Sequence, residues 1–304
     1  MRRYHLARLI LFKTGLVSLL TGLAFGLLVF QPVTFVSAAV MGDVCADCHD
    51  LAQTFGTTFH GRAWSGMNSD YSCQSCHGST DMHIGDPSKE NIISFTEQGG
   101  RTPAEMNRQC LGCHSSTSML SHWEVSSHSR NDIACVSCHT IHTSKSHIDE
   151  LNLCFNCHRE KRGQISKRSH HPVEEGKIKC SDCHNPHGTE ATHNMIRAEN
   201  VNQLCYKCHP DKRGPFVYEH PPVAENCTIC HTPHGSRNAK LLTEKVPNLC
   251  QDCHDWSRHP GTPYDAQTGF TGRSPSNRFF GRSCLNCHGA IHGSTSFEFH
   301  AFTR

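Results

Sequence analysis

Beyond residue 40 the sequence lacks long apolar runs, strand-like alternation of apolar and polar residues, and abundant methionine. The missing alternation argues against a β-sheet protein, and the missing apolar run argues against a membrane-spanning helix in this part. Only 36% of the residues are hydrophobic and the mean hydropathy is −0.49. The polypeptide alone is therefore too poor in aliphatic side chains to build a conventional core.

No cysteine stands outside one motif, because all 20 cysteines lie in ten copies of Cys-x-x-Cys-His. This pentapeptide is typical of c-type haem attachment, in which both thiols bond to the macrocycle and the histidine ligates the iron. Disulfides need no trailing histidine, a zinc knuckle needs only two such cysteine pairs, and a thioredoxin-like redox site needs one. The sequence therefore predicts ten covalently bound haem c groups.

The ten motifs supply two sets of expected site residues. The expected thioether cysteines are Cys45, Cys48, Cys73, Cys76, Cys110, Cys113, Cys135, Cys138, Cys154, Cys157, Cys180, Cys183, Cys205, Cys208, Cys227, Cys230, Cys250, Cys253, Cys284 and Cys287. The expected proximal iron ligands are His49, His77, His114, His139, His158, His184, His209, His231, His254 and His288. No motif replaces its histidine with lysine, which argues against an open catalytic iron. We expect an electron carrier and no catalytic residues.

The first 38 residues differ from the rest of the chain. They carry four basic residues and no acidic one, followed by an apolar stretch from Leu16 to Phe30 and small residues around Ala38. This pattern predicts a signal peptide over 1–38, with an uncleaved membrane anchor as the alternative. Either reading places the remainder, a decahaem cytochrome c domain over 39–304, outside the cytoplasm.

Charge and fold class follow from that division. Residues 39–304 hold 25 Lys and Arg against 27 Asp and Glu. Two propionates per haem take the formal charge to about −12 oxidised and about −22 reduced. Nothing in this balance suggests nucleic-acid binding. With 266 residues for ten haems, the macrocycles form the core, and we expect a multihaem cytochrome c that is mostly irregular, with short α-helices, an elongated haem-wire architecture and no sheet.

The motifs group into five two-haem units that begin at Cys45, Cys110, Cys154, Cys205 and Cys250. A division into two pentahaem halves between Cys154 and Cys180 remains open. Thr102 to Glu105 forms a capping box with proline at the first helical position, which predicts a helix leading into Cys110. Similar short helices are expected before Cys154, Cys205 and Cys250, and long loops over 79–101 and 255–283.

The remaining histidines can supply a second ligand to every iron. After the motif histidines and His5 of the leader, 15 of the 26 histidines remain for ten positions. Methionine, the rival ligand, occurs at no fixed place in the repeat. His122, His147, His170, His193 and His300 are left over, and His170 is the alternative to its neighbour His171. The expected distal ligands are His60, His83, His128, His142, His171, His187, His220, His234, His259 and His292.

Reach limits which iron a distal histidine can serve. Two axial nitrogens each ~2 Å from the metal place the Cα atoms of their histidines roughly 12 Å apart. Three extended residues span at most ~11 Å. His142, His187 and His234 each follow a motif histidine by three residues, so we expect each to bind the haem of a different motif.

Several segments resemble one known family. They are Lys179-Cys180-Ser181-Asp182-Cys183-His184-Asn185-Pro186-His187-Gly188 after His171-Pro172-Val173, Lys212-Arg213-Gly214-Pro215, Glu219-His220, Glu225-Asn226-Cys227, Thr232-Pro233-His234-Gly235-Ser236, and Gly281-Arg282-Ser283-Cys284-Leu285-Asn286-Cys287-His288. Together they resemble the periplasmic decahaem cytochromes of outer-membrane porin–cytochrome conduits, the MtrA/PioA/DmsE-type family. The resemblance covers essentially residues 43–294 and excludes the tail from Phe297 to Arg304.

The resemblance implies electron transfer across the bacterial outer membrane inside a β-barrel porin. Ten macrocycles, each about as wide as a helix at ~10 Å, could approach 100 Å, which exceeds the ~30 Å hydrocarbon layer. A closed barrel would insulate such a polar wire from lipid. The implied partners are that porin, periplasmic or inner-membrane electron-transfer proteins, and optionally an extracellular multihaem cytochrome. A soluble periplasmic shuttle feeding a reductase and a multihaem enzyme are the alternatives. The direction of flow and the terminal donor or acceptor stay open.

Overall fold

The structure, a computed structural model, describes residues 45–66, 73–143, 149–191, 194–254, 264–265, 269–270, 283–296 and 302, all within the unit from Val40 to Arg304. Short helices connected by turns make up this part. They are α1 Asp50–Phe55, α2 Phe59–Gly66, α3 Gln74–His77, α4 Asp81–Gly85, α5 Pro103–His114, α6 Ser127–Arg130, α7 Glu150–Phe155, α8 Arg159–Ile165, α9 Cys180–Cys183, α10 Val201–Tyr206, α11 Pro221–Glu225 and α12 Asn248–Gln251. Single 3-10 turns are Glu97–Gly99, Ser118–Leu120, Trp123–Val125, Cys135–Ser137, Pro210–Lys212, Cys227–Ile229, Ala239–Leu241 and Cys284–Asn286.

The helix leading into Cys110 begins as its capping box predicts. The Thr102 hydroxyl accepts from the Glu105 backbone N–H at 3.3 Å, and the Glu105 carboxylate accepts from the Thr102 backbone N–H at 2.8 Å. This exchange satisfies two donors that a helix start leaves without partners. The expected short approaches to Cys154, Cys205 and Cys250 are also present, as α7, α10 and α12.

The expected fold class, short helices in an otherwise irregular chain, is confirmed, with one small departure. Tyr264–Asp265 (β1) and Gly269–Phe270 (β2) pair as an antiparallel ladder of two residues per strand. The prediction of a continuous loop over 79–101 is wrong in detail, because α4 and the turn Glu97–Gly99 interrupt it. Asp81 favours α4 because it places an acidic side chain in the first turn, where the helix dipole stabilises negative charge. Most of 255–283 lies outside the described residues.

Among the described residues, no helix is long and apolar enough to cross a membrane.

The apolar side chains buried in the described part are few and scattered. They are Met106, Trp123, Ala134, Phe155, Ile165 and Ile196. Large apolar side chains such as Leu51, Phe59 and Met82 are more than half exposed in the polypeptide. Within the described residues the polypeptide thus builds no apolar core of its own, which agrees with the expectation that macrocycles supply the core.

Buried polar side chains connect the two motifs inside a two-haem unit. Asn202, three residues before Cys205, accepts from the Cys227 backbone N–H at 2.7 Å and donates to the carbonyls of Val223 and Ala224 at 2.9 and 3.1 Å. Asn107 holds the same place before Cys110 and accepts from the Cys135 backbone N–H at 2.7 Å. These asparagines are 7% and 6% exposed, so their hydrogen bonds fix the second motif of each unit against the first.

In the third unit a carboxylate takes the role of the asparagine. Glu150 of α7 accepts from both the backbone N–H and the hydroxyl of Ser181, at 3.0 and 2.8 Å. Ser181 lies in α9, between the two cysteines of the second motif of that unit. Different residues therefore make the same connection between successive motifs.

Candidate functional site

Each motif folds as one helical turn. The backbone N–H of the motif histidine donates to the carbonyl of the first cysteine, at 2.8 Å in the first motif and 2.9 Å in the second. Residues i, i+3 and i+4 of a helix share one face. Both thiols and the imidazole of a motif therefore point to the same side, as attachment of one macrocycle requires. We number the sites 1 to 10 in the chain order of their motifs.

Nine motif histidines lie beside a histidine from elsewhere in the chain. From site 1 to site 9 the pairs, with the distance between ring centres, are His49–His83 (6.1 Å), His77–His142 (6.0 Å), His114–His60 (5.9 Å), His139–His187 (5.8 Å), His158–His128 (6.1 Å), His184–His234 (6.0 Å), His209–His171 (6.4 Å), His231–His292 (6.1 Å) and His254–His220 (6.1 Å).

These separations match two imidazoles on opposite sides of one metal ion. A nitrogen ~2 Å from the metal, in a ring whose centre lies ~1.2 Å further out, gives about 6.4 Å between two ring centres. The angle between ring planes varies from 13° at site 1 to 87° at site 3, which a metal permits because the rings can turn about the nitrogen–metal axis. The residues therefore fit an iron with histidine on both faces.

The partners alternate in direction along the chain. At sites 2, 4, 6 and 8 the second histidine comes just after the motif that stands two places further along the chain. At site 4, for example, the ring beside His139 is that of His187, which follows the sixth motif. At sites 3, 5, 7 and 9 the second histidine comes after the motif that stands two places earlier in the chain. At site 7, for example, the ring beside His209 is that of His171, which follows the fifth motif. His142, His187 and His234 thus lie beside the histidines of other motifs, in agreement with the limit set by their reach.

Backbone carbonyls orient many of these rings. A carbonyl can only accept, so the Nδ1 that faces it carries the hydrogen and leaves the Nε2 lone pair for a metal. In the part of the chain that the structure describes, seven such bonds, 2.7 to 3.1 Å long, join His77 to Ile93, His83 to Ser88, His128 to Pro186, His171 to Pro233, His184 to Asn194, His220 to Ile291 and His231 to Lys240.

Two of these acceptors sit on strained backbone. Asn194 and Met195 have φ values of 59° and 48°, and Lys240 and Leu241 both have 59°. Left-handed conformation costs a residue such as Met195, Lys240 or Leu241 about 1–2 kcal/mol, whereas asparagine tolerates it better. The strain aims the carbonyls of Asn194 and Lys240 at the motif histidines of sites 6 and 8, and such strain is often found where function requires it.

Burial keeps many candidate ligands in the neutral form. Desolvation is the largest cause that lowers the pKa of seven imidazoles, because burial penalises the charged ring. They are His60, His139, His142, His187, His220, His234 and His292. A neutral imidazole is the form that binds a metal.

The cysteines bring successive motifs together. Within each unit the first cysteines of the two motifs lie next to each other: Cys45 with Cys73, Cys110 with Cys135, Cys154 with Cys180, Cys205 with Cys227 and Cys250 with Cys284. Between units the second cysteines are neighbours: Cys76 with Cys113, Cys138 with Cys157, Cys183 with Cys208 and Cys230 with Cys253. Each motif therefore contacts the motifs before and after it in the chain.

Some sequence-based expectations fall outside the described residues. They are the signal peptide over 1–38, the distal candidate His259, and the left-over His147, His193 and His300. His170, the alternative to His171, instead bonds through Nδ1 to the Lys167 carbonyl and through Nε2 to Glu175, at 2.5 and 3.1 Å. Both of its ring nitrogens are thus occupied, whereas the ring of His171 faces His209.

Sequence reasoning missed the residues that support the rings and motifs. The buried Asn107 and Asn202 both stand three residues before the first cysteine of a motif, and this recurring Asn-x-x-Cys spacing was the available signal. The strained positions Met195, Lys240 and Leu241 leave no comparable signal, because these residue types rarely adopt left-handed backbone, whereas Asn194 does so readily.

Comparisons with known proteins point the same way. A family model described as "Doubled CXXCH motif" matches residues 170–214 and 220–259, and one described as "Cytochrome c-type protein NrfB-like" matches 73–153. The "Multiheme cytochrome MtrA" of Shewanella baltica is 38% identical over 262 residues, covering 83% of this chain and 78% of the relative. The chain belongs to the MtrA family of multihaem cytochromes.

A second relative of this MtrA-family chain is more distant. The "High-molecular-weight cytochrome c" of Nitratidesulfovibrio vulgaris is 25% identical over 215 residues, which cover 62% of this chain and 36% of the relative. Family membership and the 20 motif cysteines together establish covalently bound haem c. This MtrA-family member is accordingly a c-type multihaem cytochrome of electron transport.

Proposed function

We propose that this chain carries electrons across the bacterial outer membrane through ten bis-histidine haem c groups, inside a β-barrel porin. The observation that carries the proposal is the set of nine imidazole pairs whose ring centres lie 5.8 to 6.4 Å apart. An iron with a protein ligand on both faces has no position for a substrate. The ligand set therefore favours electron transfer and argues against catalysis.

In this proposal the motif histidine and its paired histidine are the two iron ligands at each of sites 1 to 9. The pattern also assigns the tenth site. Site 1 has no motif two places behind it and takes His83, which follows its unit partner at site 2. Site 10 has no motif two places ahead, so by the same rule His288 takes His259, which follows its unit partner at site 9.

The cysteine contacts support a single file of sites in chain order. First cysteines meet within a unit, as at Cys154 and Cys180, and second cysteines meet between units, as at Cys183 and Cys208. Haem iron, when bound, supplies a one-electron ferric/ferrous couple. The chain's own residues hold neighbouring sites at short range and keep histidine on both faces of every iron.

Family resemblance supplies the setting of the proposal. Residues 1–38 act as a cleaved signal peptide and 39–304 form the decahaem domain. The domain resides in the periplasm and associates with the outer membrane through its porin. It receives or delivers electrons through periplasmic or inner-membrane electron-transfer proteins on one side. On the other side it meets extracellular metals or other donors and acceptors, directly or through an extracellular multihaem cytochrome.

Sealed vesicles test the proposal directly. The haem-loaded chain is co-expressed with a candidate outer-membrane barrel, purified as a complex and inserted into vesicles that enclose a redox dye. A membrane-impermeant reductant outside should reduce the enclosed dye only when both proteins are present. The matched variant Cys180→Ala/Cys183→Ala removes attachment at site 6, in the middle of the file, and should abolish dye reduction while absorbance still reports the other haems.

Two results would contradict the conduit. A chain that always purifies as a monomer with no barrel would favour the soluble shuttle to a reductase. Dye reduction that proceeds equally fast through the site 6 variant would show that electrons do not pass along a single file.

A further inference from the structure

Three short turns each carry a candidate ligand at their third position. The turns are Asn185–Gly188, Thr232–Gly235 and Ala290–Gly293, and the ligands are His187, His234 and His292. In each, the glycine N–H donates to the carbonyl of the first residue, at 3.0, 3.1 and 2.9 Å. That bond is the hydrogen bond that closes a β-turn. It leaves the carbonyl of the second residue free to accept from another group.

The free carbonyl accepts the ring hydrogen of a histidine from the next site. His128 of site 5 donates through Nδ1 to the Pro186 carbonyl at 2.9 Å, and Pro186 is joined directly to His187 of site 4. Site 7 repeats this at 2.7 Å through His171 and Pro233, and site 9 at 3.1 Å through His220 and Ile291. One peptide group thus bears a ligand of one site and holds a ligand of the following site.

We propose that these three peptide groups couple successive irons across the boundaries between two-haem units, at sites 4 and 5, 6 and 7, and 8 and 9. The proposal rests on the ligand assignments of the proposed function. An Nδ1–H hydrogen bond strengthens an imidazole as a ligand, and the positive charge of a ferric iron makes that N–H a better donor. A change in charge or ligation at site 5 therefore alters the pull on the Pro186 carbonyl, and with it the position of His187 at site 4.

The boundary between sites 2 and 3 provides an internal comparison. His60 and His142 occupy the same places in the repeat. His220 donates through Nδ1 to the Ile291 carbonyl, in the peptide before His292, at 3.1 Å. Within the described residues His60 makes no bond to the peptide before His142. Thr143 stands where the other turns have glycine, and those glycines have φ of 102°, 154° and 147°, which threonine adopts only under strain.

Replacing a single ligand tests the coupling. In the full haem-loaded chain, His128→Met keeps a ligand atom at site 5 but removes the Nδ1–H donor. Near-infrared magnetic circular dichroism counts irons with a sulfur ligand, and electron paramagnetic resonance follows the remaining low-spin ferric irons. We expect one sulfur-ligated iron and a shifted signal from one further iron, that of site 4. The matched variant His60→Met should give one sulfur-ligated iron and leave all others unchanged.

The possible outcomes separate the inference from the function on which it rests. One sulfur-ligated iron with nine unchanged irons in His128→Met would overturn the coupling and leave the ligand assignment intact. No sulfur-ligated iron with all ten signals unchanged would show that His128 is not a ligand, which overturns both. If His128→Met fails to load haem, His220→Met makes the same test at sites 8 and 9, with the same expected and contradicting results.

Discussion

The side chain of Asn202 should decide how firmly the second motif of its unit is held. It is 7% exposed and makes three hydrogen bonds, to the Cys227 N–H and the carbonyls of Val223 and Ala224. Asn202→Ala removes all three at once. The part-buried Cys227 N–H would then be left without a protein partner, which is the most costly consequence of the change.

The magnitude follows from that one donor. A buried group that loses its hydrogen bond costs ~1–3 kcal/mol. Because covalent haem keeps both motifs attached, we expect the loss to appear as local opening, with no global unfolding. A cost of ~2 kcal/mol corresponds to about a 30-fold rise in the population of the open form. Amide exchange over residues 221–230 should accelerate by that factor.

Hydrogen–deuterium exchange with mass spectrometry on the haem-bearing peptide measures this directly. Asn107→Ala should give the equivalent change around Cys135, whose N–H it binds at 2.7 Å. Asn248→Ala, an exposed asparagine two residues before Cys250, is the control and should leave exchange unchanged throughout. Unchanged exchange at 221–230 in Asn202→Ala, or acceleration spread evenly along the chain, would refute the role assigned to this side chain.

Three further results are expected. Gly235→Ala should lower the free energy of unfolding by at least ~2 kcal/mol in chemical denaturation, since φ is 154° and the added methyl meets the Gln164 carbonyl. Gly176→Ala, at φ 68° with open space around it, is the control and should cost ~1 kcal/mol. Equal losses in the two variants would contradict the role of the Gln164 contact. His259→Ala removes the proposed second ligand at site 10 and should convert one iron to the high-spin state, which electron paramagnetic resonance detects. Ten unchanged signals would show that His259 is not the second ligand of that iron. Ferric spectra should contain two low-spin classes, because parallel imidazole planes (15° at site 4) split the iron d orbitals more than perpendicular ones (87° at site 3); a single class would contradict these ring orientations.

The haem chemistry was readable from the sequence because it is local. Two thiols and an imidazole at i, i+3 and i+4 need only one helical turn, and the capping box at Thr102 is equally local. The choice of the ten distal candidates relied on recurrence in the repeat. The nine candidates within the described residues each lie beside a motif histidine, while their role as ligands stays a prediction.

Partner choice could not be read in the same way. Reach excluded the preceding motif for His187 but did not select among the others. The pairing with His139 depends on how the repeats stack, which is a tertiary property. The same holds for the bond from His128 to the Pro186 carbonyl, 58 residues away in the chain. Spacing within one segment carries no information about contacts of that separation.

Every one of the ten irons is proposed to carry two histidine ligands. The most direct test of this ligation combines haem quantification by absorbance of the alkaline pyridine complex with electron paramagnetic resonance of the oxidised, full-length protein. We expect ten haems per chain, all low-spin, with no sulfur-ligated iron by near-infrared magnetic circular dichroism. Fewer than ten haems, or a high-spin signal equal to one iron per chain, would contradict it.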